Sequence, residues 1–91
     1  KEAVKWYCKS ADQGNAQAQF NLGVMYHKGR GVLEDFVAAY AWWNIAASNG
    51  HSNARKNKEI LVKEMTKEQI ADAQKLSREL FKKIEERKKG K

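Results

Sequence analysis

The 91-residue sequence contains no proline, one cysteine and two histidines. Because proline is the strongest breaker of helix interiors, its absence, together with abundant Ala, Lys, Glu and Gln, favours helix throughout. The single cysteine, Cys8, can form neither an internal disulfide nor a zinc cluster. No apolar run of about 18 residues occurs, and no charged start followed by an apolar run opens the chain, so neither a membrane span nor a signal peptide is visible. The composition predicts an all-α fold.

The net charge of +7 is unevenly distributed along the chain. The segment Lys82–Lys91 contains six basic and two acidic residues, so this tail carries +4 and the rest of the chain only +3. One hypothesis is therefore that a basic C-terminal helix binds nucleic acid or an anionic membrane surface. Glu85 and Glu86 reduce the positive charge of the tail, however, and Lys and Arg also complement the negative end of a helix dipole. We keep this function as the alternative, and nucleic acid is not the partner that we favour.

The sequence repeats itself with an offset of 36 residues. Six residues recur at this spacing: Ala3, Trp6, Tyr7, Ala11, Gly14 and Ala18 align with Ala39, Trp42, Trp43, Ala47, Gly50 and Ala54. Two aromatic residues, several small residues and a glycine are thus shared in the same order. Internal repetition of this period indicates stacked supersecondary units.

Each unit is predicted to contain two helices. The first extends from about Asn15 to Lys28, and Gly29 is placed to end it in a left-handed conformation. Asp35 is the natural N-cap of the second helix, which extends to about Asn49 and is ended by Gly50. Its apolar residues surround most of the circumference, so it must be buried on several sides: Phe36, Ala39, Tyr40, Trp42, Trp43, Ala46 and Ala47.

This pattern resembles that of the Sel-one-like repeat family, whose nearest relatives are the tetratricopeptide repeats. The residues that carry the resemblance are Ala18, Leu22, Gly23, Tyr26, Gly29, Gly31, Val32, Asp35, Ala39, Trp42, Ala46, Ala47 and Gly50. The resemblance implies an α-solenoid of antiparallel helix pairs, a tetratricopeptide-like superhelix. It also implies a non-enzymatic adaptor or scaffold that binds proteins, and bacterial members of the family are often exported.

The repeat pattern fades after residue 50. Where the complete repeat has Leu22 and Gly23, the next copy has Lys58 and Glu59. We expect one structural domain with three parts: the second helix of a truncated repeat (residues 1–14), one complete repeat (15–50), and a degenerate final repeat with a capping helix (51–91). Since the chain starts at Lys1 in a segment with helical patterning, we expect it to begin inside a longer repeat protein.

A long C-terminal capping helix is predicted to close the array. Thr66 and Gln69 have the spacing of a capping box at its start. One side is apolar, with Ile70, Ala73, Leu76, Ser77, Leu80, Phe81 and Ile84. The other side is polar, with Lys67, Asp72, Lys75, Arg78, Lys82 and Glu86. Solenoids need such a polar outer end to stay soluble.

No catalytic or metal-binding set can be assembled from these residues. His27 and His51 lack the i, i+4 spacing of a helical metal pair, and no cluster of cations near Cys8 would lower the pKa of its thiol. Gly29 and Gly31 lack the strand and the Lys-Ser/Thr of a phosphate-binding loop. We therefore expect no enzyme activity, no cofactor and no metal.

Stacked helix pairs create a concave surface lined mainly by the first helix of each repeat. With Ala18, Leu22, Gly23 and Tyr26 assigned to packing, the remaining positions are predicted to face a protein or peptide partner: Gln17, Phe20, Asn21, Val24, His27 and Lys28. An apolar strip with Asn and Gln suits a partner segment whose backbone polar groups need hydrogen bonds.

Overall fold

The computed structural model describes residues 2–89, and the side chains of residues 5–87. It contains five helices: α1 (Glu2–Asp12), α2 (Ala16–Lys28), α3 (Phe36–Ser48), α4 (Ser52–Val62) and α5 (Lys67–Lys89). No strand occurs within these residues. The predicted all-α solenoid with a long C-terminal capping helix is confirmed. Between residues 2 and 89, no helix has the length and apolar character needed to cross a membrane.

Helix α3 is the centre of the fold. It packs against α2, α4 and α5, whereas α1 packs against α2 and makes fewer contacts with α5. Its buried residues surround the helix, as its nearly continuous apolar sequence predicts: Ala38, Ala39, Tyr40, Ala41, Trp42, Trp43, Ile45 and Ala46. A helix enclosed on three sides therefore holds the others in place.

The ends of α2 are fixed by the residues that the sequence singles out. The Asn15 side chain accepts a hydrogen bond from the backbone N–H of Ala18, at 2.8 Å. At the other end Gly29 has φ 69°, and the next residue, Arg30, donates its N–H to the Met25 carbonyl at 2.9 Å. This closure needs a left-handed residue, which glycine adopts without a Cβ clash. The predicted role of Gly29 is confirmed.

Helices α3 and α5 start at their predicted caps. The Asp35 carboxylate accepts from the N–H of Ala38 at 3.1 Å. Thr66 Oγ1 accepts from the N–H of Gln69 at 3.0 Å, and Gln69 Oε1 accepts from the N–H of Thr66 at 2.9 Å, which is a complete capping box. One position differs from the prediction: the C-cap of α3 is Asn49, and Gly50 is the residue after it.

Two hydrophobic clusters lie against α3. The Trp42 cluster contains Ala11, Ala18, Leu22, Trp42, Ile45 and Ile84 and so joins α1, α2, α3 and α5. The Trp43 cluster contains Ala39, Tyr40, Trp43, Ala46, Ala54, Leu61, Met65 and Ala73 and joins α3, α4 and α5. Adjacent residues on one helix thus serve two separate parts of the core.

Trp43 fixes the contact between α2 and α3. Its indole lies on Gly23, where a Cβ atom would overlap the ring. Its Nε1–H donates to the Phe20 carbonyl at 3.0 Å, so the one polar atom of the indole is satisfied. A glycine inside a helix costs roughly 0.5 to 1 kcal/mol relative to alanine. At this position the close approach of Trp43 accounts for the glycine.

The fully buried Gln19 ties α1, α2 and α3 together. Its Nε2 donates to the Ala11 carbonyl at 3.0 Å, and its Oε1 accepts from the Asn49 amide at 3.1 Å. Both ends of the side-chain amide are therefore paired, as a buried polar group requires.

Residues at equivalent repeat positions are not equally buried. Trp6 is 67% exposed, whereas Trp42, 36 residues later, is 7% exposed. Lys58 stands where the complete repeat has the buried Leu22. Its ammonium donates to Asn44 Oδ1 at 3.0 Å and lies 5.8 Å from the centre of the Tyr40 ring. A cation–π contact and a hydrogen bond thus replace an aliphatic contact against α3.

Candidate functional site: the groove between α2 and α4

A groove of about 240 Å³ opens between α2 and α4, with Trp43 of α3 beneath it. We call it the α2–α4 groove, and its lining residues are Val24, His27, Lys28, Trp43, Asn57, Ile60, Leu61 and Glu64. Its two walls come from separate helices that both pack on α3.

The α2 wall consists of Val24, His27 and Lys28, which share one face because they are three and four residues apart. The His27 ring lies 5.5 Å from the ring of Phe36 and 5.5 Å from that of Trp43, measured between centroids. These contacts leave His27 half-buried and restrict its side chain. All three residues belong to the predicted concave face, and the structure brings them together.

The α4 wall consists of Asn57, Ile60 and Leu61 of α4 and of Glu64 in the turn that follows it. Leu61 is buried, whereas Ile60 is 59% exposed at the rim. Sequence reasoning missed this wall because the repeat pattern fades there. The signal was nevertheless present, since these positions have the i, i+3, i+4, i+7 spacing of one helix face.

The other three residues of the predicted concave face, Gln17, Phe20 and Asn21, make contacts within the chain. The His51 ring stacks on Phe20 at 4.5 Å, and His51 Nε2 lies 3.1 Å from Gln17 Oε1. Gln17 in turn donates to Asn21 Oδ1 at 3.1 Å. The first half of α2 is thus linked to α4 through His51, and the groove opens beside the second half.

His51 also caps α4. Its Nδ1 accepts from the N–H of Ala54 at 3.2 Å. An accepting Nδ1 places the imidazole proton on Nε2, which then donates to Gln17 Oε1. One side chain therefore fixes both the start of α4 and its position beside α2.

Five rings form a continuous row, and two of them, those of Trp43 and His27, line the groove. In order along the row they belong to His51, Phe20, Trp43, His27 and Phe36. Neighbouring centroids lie between 4.5 and 6.4 Å apart. Such contacts add stability beyond the burial of area, so the groove has a rigid base.

The pKa values of Cys8 and Tyr26 are both raised, which disfavours the ionised form of each side chain. Burial, and then the Asp12 carboxylate, raises the pKa of the Cys8 thiol. Burial is also the main cause that raises the pKa of Tyr26, followed by Cys8 and Asp35. Both groups are therefore neutral at pH 7. Cys8 packs against the Trp42 cluster, in agreement with its expected role as an apolar filler.

The basic tail is only partly described. Lys82, Lys83 and Arg87 are exposed on α5 and alternate with the exposed Glu85 and Glu86. The Arg87 guanidinium lies 3.8 Å from the Asp12 carboxylate. The side chains of residues 88–91, which the predicted basic surface includes, lie outside the described part of the chain.

Comparison with protein families identifies the repeat. A family model of the Sel1 repeat matches residues 1–15 and 16–51, which is more than half of the chain. The chain belongs to the Sel1-repeat family. The family is built from protein-interaction repeats, so the chain is a helical repeat module of the protein-interaction class.

A solved structure and curated relatives agree with this assignment. The crystal structure of c5321, described as a protective antigen of uropathogenic Escherichia coli strains displaying an SLR fold, superposes with a TM-score of 0.86. It is 35% identical, over 89% of this chain and 18% of that one. Chitin synthase regulatory factor 3 of Schizosaccharomyces pombe is 40% identical over 64% of this chain. DAP3-binding cell death enhancer 1 of Rattus norvegicus is 38% identical over 60% of it.

The chain spans only a small part of these relatives, namely 6% of the fission yeast protein and 11% of the rat protein. Chitin synthase regulator SKT5 of Saccharomyces cerevisiae, 36% identical over 58% of this chain, is covered to 8% of its length. The likeness therefore concerns a short part of each relative.

Proposed function

We propose that the chain is an adaptor or scaffold module that holds a segment of a partner protein in the α2–α4 groove, on the concave face of its solenoid. Two fungal relatives are named as regulators of chitin synthase and the rat relative as a DAP3-binding protein. These names support binding of proteins as the general role. The segment itself is proposed from the groove.

The exposed apolar rim of the groove carries the proposal. Ile60 is 59% exposed beside the buried Leu61, and Val24 lies half-buried on the opposite wall. An apolar groove between two helices is a surface that a partner side chain can cover. Its volume of about 240 Å³ is below the roughly 300 to 1,000 Å³ of small-molecule sites, so it suits one or two side chains of a partner.

Polar groups in the walls complement this apolar surface. His27 and Asn57 are half-buried in opposite walls and lie among the groove-lining residues. An imidazole and a side-chain amide can each donate or accept a hydrogen bond, as the backbone of a bound segment requires. The groove thus offers apolar contact and polar contact from both walls.

We assign the groove to a junction between repeats. In this assignment, residues 1–14 are the second helix of a truncated repeat and residues 15–50 form one complete repeat. Residues 51–91 form the degenerate final repeat and its cap. Helix α2 is then the first helix of the complete repeat, and α4 is the first helix of the final one. The walls therefore come from successive repeats, as in a concave solenoid surface.

The three tryptophans provide a direct test. A peptide is selected from a random 16-residue display library on the immobilised chain and titrated into ¹⁵N-labelled protein. Trp43 lines the groove, whereas Trp42 lies in the other cluster and Trp6 is exposed on α1. We expect the Trp43 indole resonance to shift, together with the amides of Val24, His27 and Ile60, while the Trp6 and Trp42 resonances stay in place.

Shifts confined to α1 or to the polar face of α5 would contradict the proposal. A library that yields no peptide dependent on the groove would also contradict it, since no partner segment would then fit between α2 and α4.

A further inference from the structure

Basic side chains surround the apolar part of the α2–α4 groove. Lys28 belongs to its lining on the α2 side. On the α4 side, the exposed Ile60 borders a second, shallower depression lined by Lys56, Glu59, Ile60 and Lys63. Ile60 thus joins the groove to two lysines seven residues apart, Lys56 within α4 and Lys63 at its C-cap.

These lysines are available for a charged partner. The one ion pair in the described part of the chain joins Arg87 to Asp12, so Lys28, Lys56 and Lys63 have no carboxylate within 4.0 Å among those residues. Lys58 differs, because it is engaged with Asn44 and Tyr40 against α3.

The local charge balance is positive. The groove and its α4 rim carry the cations Lys28, Lys56 and Lys63 against the carboxylates Glu59 and Glu64. Arg55 adds a further cation at the exposed start of α4. The whole chain carries a net charge of +7, which has the same sign as this local balance.

We propose, on the basis of the function proposed above, that the partner segment carries an aliphatic or aromatic anchor flanked by Asp or Glu residues. The anchor enters the α2–α4 groove beside Ile60, and the flanking carboxylates lie against Lys56 and Lys63. Complementary charges at the rim of an interface chiefly increase the association rate and fix the orientation. The apolar groove favours a peptide over nucleic acid, since phosphates alone would leave Ile60 and the cavity beneath it uncovered.

Peptides selected from the random 16-residue library test this inference through their sequences and their affinities. Two double variants that remove the same charge at the same seven-residue spacing are compared by fluorescence anisotropy. Lys56→Gln/Lys63→Gln changes the rim of the groove, and Lys75→Gln/Lys82→Gln changes the exposed face of α5. Ile60→Gln reports dependence on the groove, and single-stranded DNA of random sequence is the competitor.

We expect enrichment of Asp and Glu beside an apolar residue and a Kd that rises about three- to tenfold in the α4 double variant, because two exposed ion pairs with the peptide are lost and each contributes only a modest amount. This effect should shrink as salt is added, and the α5 double variant should bind like wild type.

Peptides that need Ile60 but show no acidic enrichment, or that respond equally to both double variants, would overturn the inference and leave the proposed function standing. Peptides indifferent to Ile60→Gln would overturn both. The basic rim would instead be assigned to nucleic acid by two results together. DNA would bind the wild-type chain more tightly than the peptide does, and its competition with the peptide would be lost in the α4 double variant.

Discussion

The adjacent tryptophans of α3 lie in two differently built regions. Trp42 is enclosed by side chains from α1, α2 and α5, and the cluster around it includes the apolar side of the capping helix. Trp43 packs on Gly23 of α2, but the space beyond it opens into the groove between α2 and α4. Closure by three helices makes the first region a source of stability. The second region combines stability with a surface that is still accessible.

The largest effect is expected where the core is most closed. Trp42→Ala removes the largest side chain of the Trp42 cluster and should lower the free energy of unfolding by about 3 to 5 kcal/mol. That is a large part of the stability of so small a domain. Urea denaturation followed by circular dichroism measures it. A loss below about 1 kcal/mol would show that this cluster is not the main core.

A substitution at Gly23 tests the region around Trp43, where α2 and α3 are in close contact. Gly23→Leu places a side chain where the Trp43 indole lies, so either the indole or α2 must move, at a cost of about 1 to 3 kcal/mol or more. The same displacement should break the hydrogen bond from Trp43 Nε1 to the Phe20 carbonyl. Thermal melting and the indole resonance of Trp43 report the two effects. Unchanged values for both would mean that α2 and α3 are not in close contact there.

Gln19 tests the polar link between the regions. Gln19→Leu removes both hydrogen bonds of the buried side-chain amide, to the Ala11 carbonyl and from the Asn49 amide, and should cost about 1 to 3 kcal/mol. Gln17→Leu, at an exposed position of the same helix, is the matched control and should cost less. If chemical denaturation showed an equal loss of unfolding free energy in both variants, the buried hydrogen bonds of Gln19 would add no more stability than the exposed Gln17 side chain does.

Sequence reasoning recovers most of the fold because local signals agree with one another. The 36-residue offset, the cap at Asp35 and the capping box at Thr66 each locate a helix end independently of packing. The apolar circumference of α3 likewise identifies the central helix. These signals are properties of the backbone and of helix periodicity, so they can be read without knowledge of the neighbours.

The site is less predictable because it depends on how separate helices meet. Val24, His27 and Lys28 of the α2 wall belong to the concave face that the sequence predicts, but the α4 wall lies after residue 50, where the repeat pattern fades and family residues no longer guide the alignment. The His51 ring stacks on Phe20 in the first half of α2, and these two residues are 31 positions apart in the sequence. The burial and hydrogen bonds of Gln19 could not be predicted for the same reason, since its partners lie in α1 and at the end of α3.

The smallest expected effect concerns the reactivity of the Cys8 thiol, which packs against the Trp42 cluster. Because burial and the Asp12 carboxylate raise the pKa of its thiol, alkylation by iodoacetamide should reach half of its maximal rate at a higher pH than it does for cysteine in an unfolded peptide. Asp12→Asn removes the smaller of the two causes and should shift the midpoint to lower pH while leaving it above that of the peptide. A midpoint at or below that of the peptide in the wild-type chain would show that the thiol is exposed rather than packed on the Trp42 cluster.

The affinity of one selected peptide for two matched variants tests most directly whether the open region binds the partner. Ile60→Gln and Leu33→Gln each replace an exposed aliphatic side chain, 59% and 90% exposed respectively, but only Ile60 borders the groove. Isothermal titration calorimetry should show a Kd about fivefold or more weaker for Ile60→Gln, through lost apolar contact, with Leu33→Gln close to wild type and melting temperatures nearly unchanged. Equal affinities for Ile60→Gln and wild type, or a loss in Leu33→Gln alone, would contradict the account.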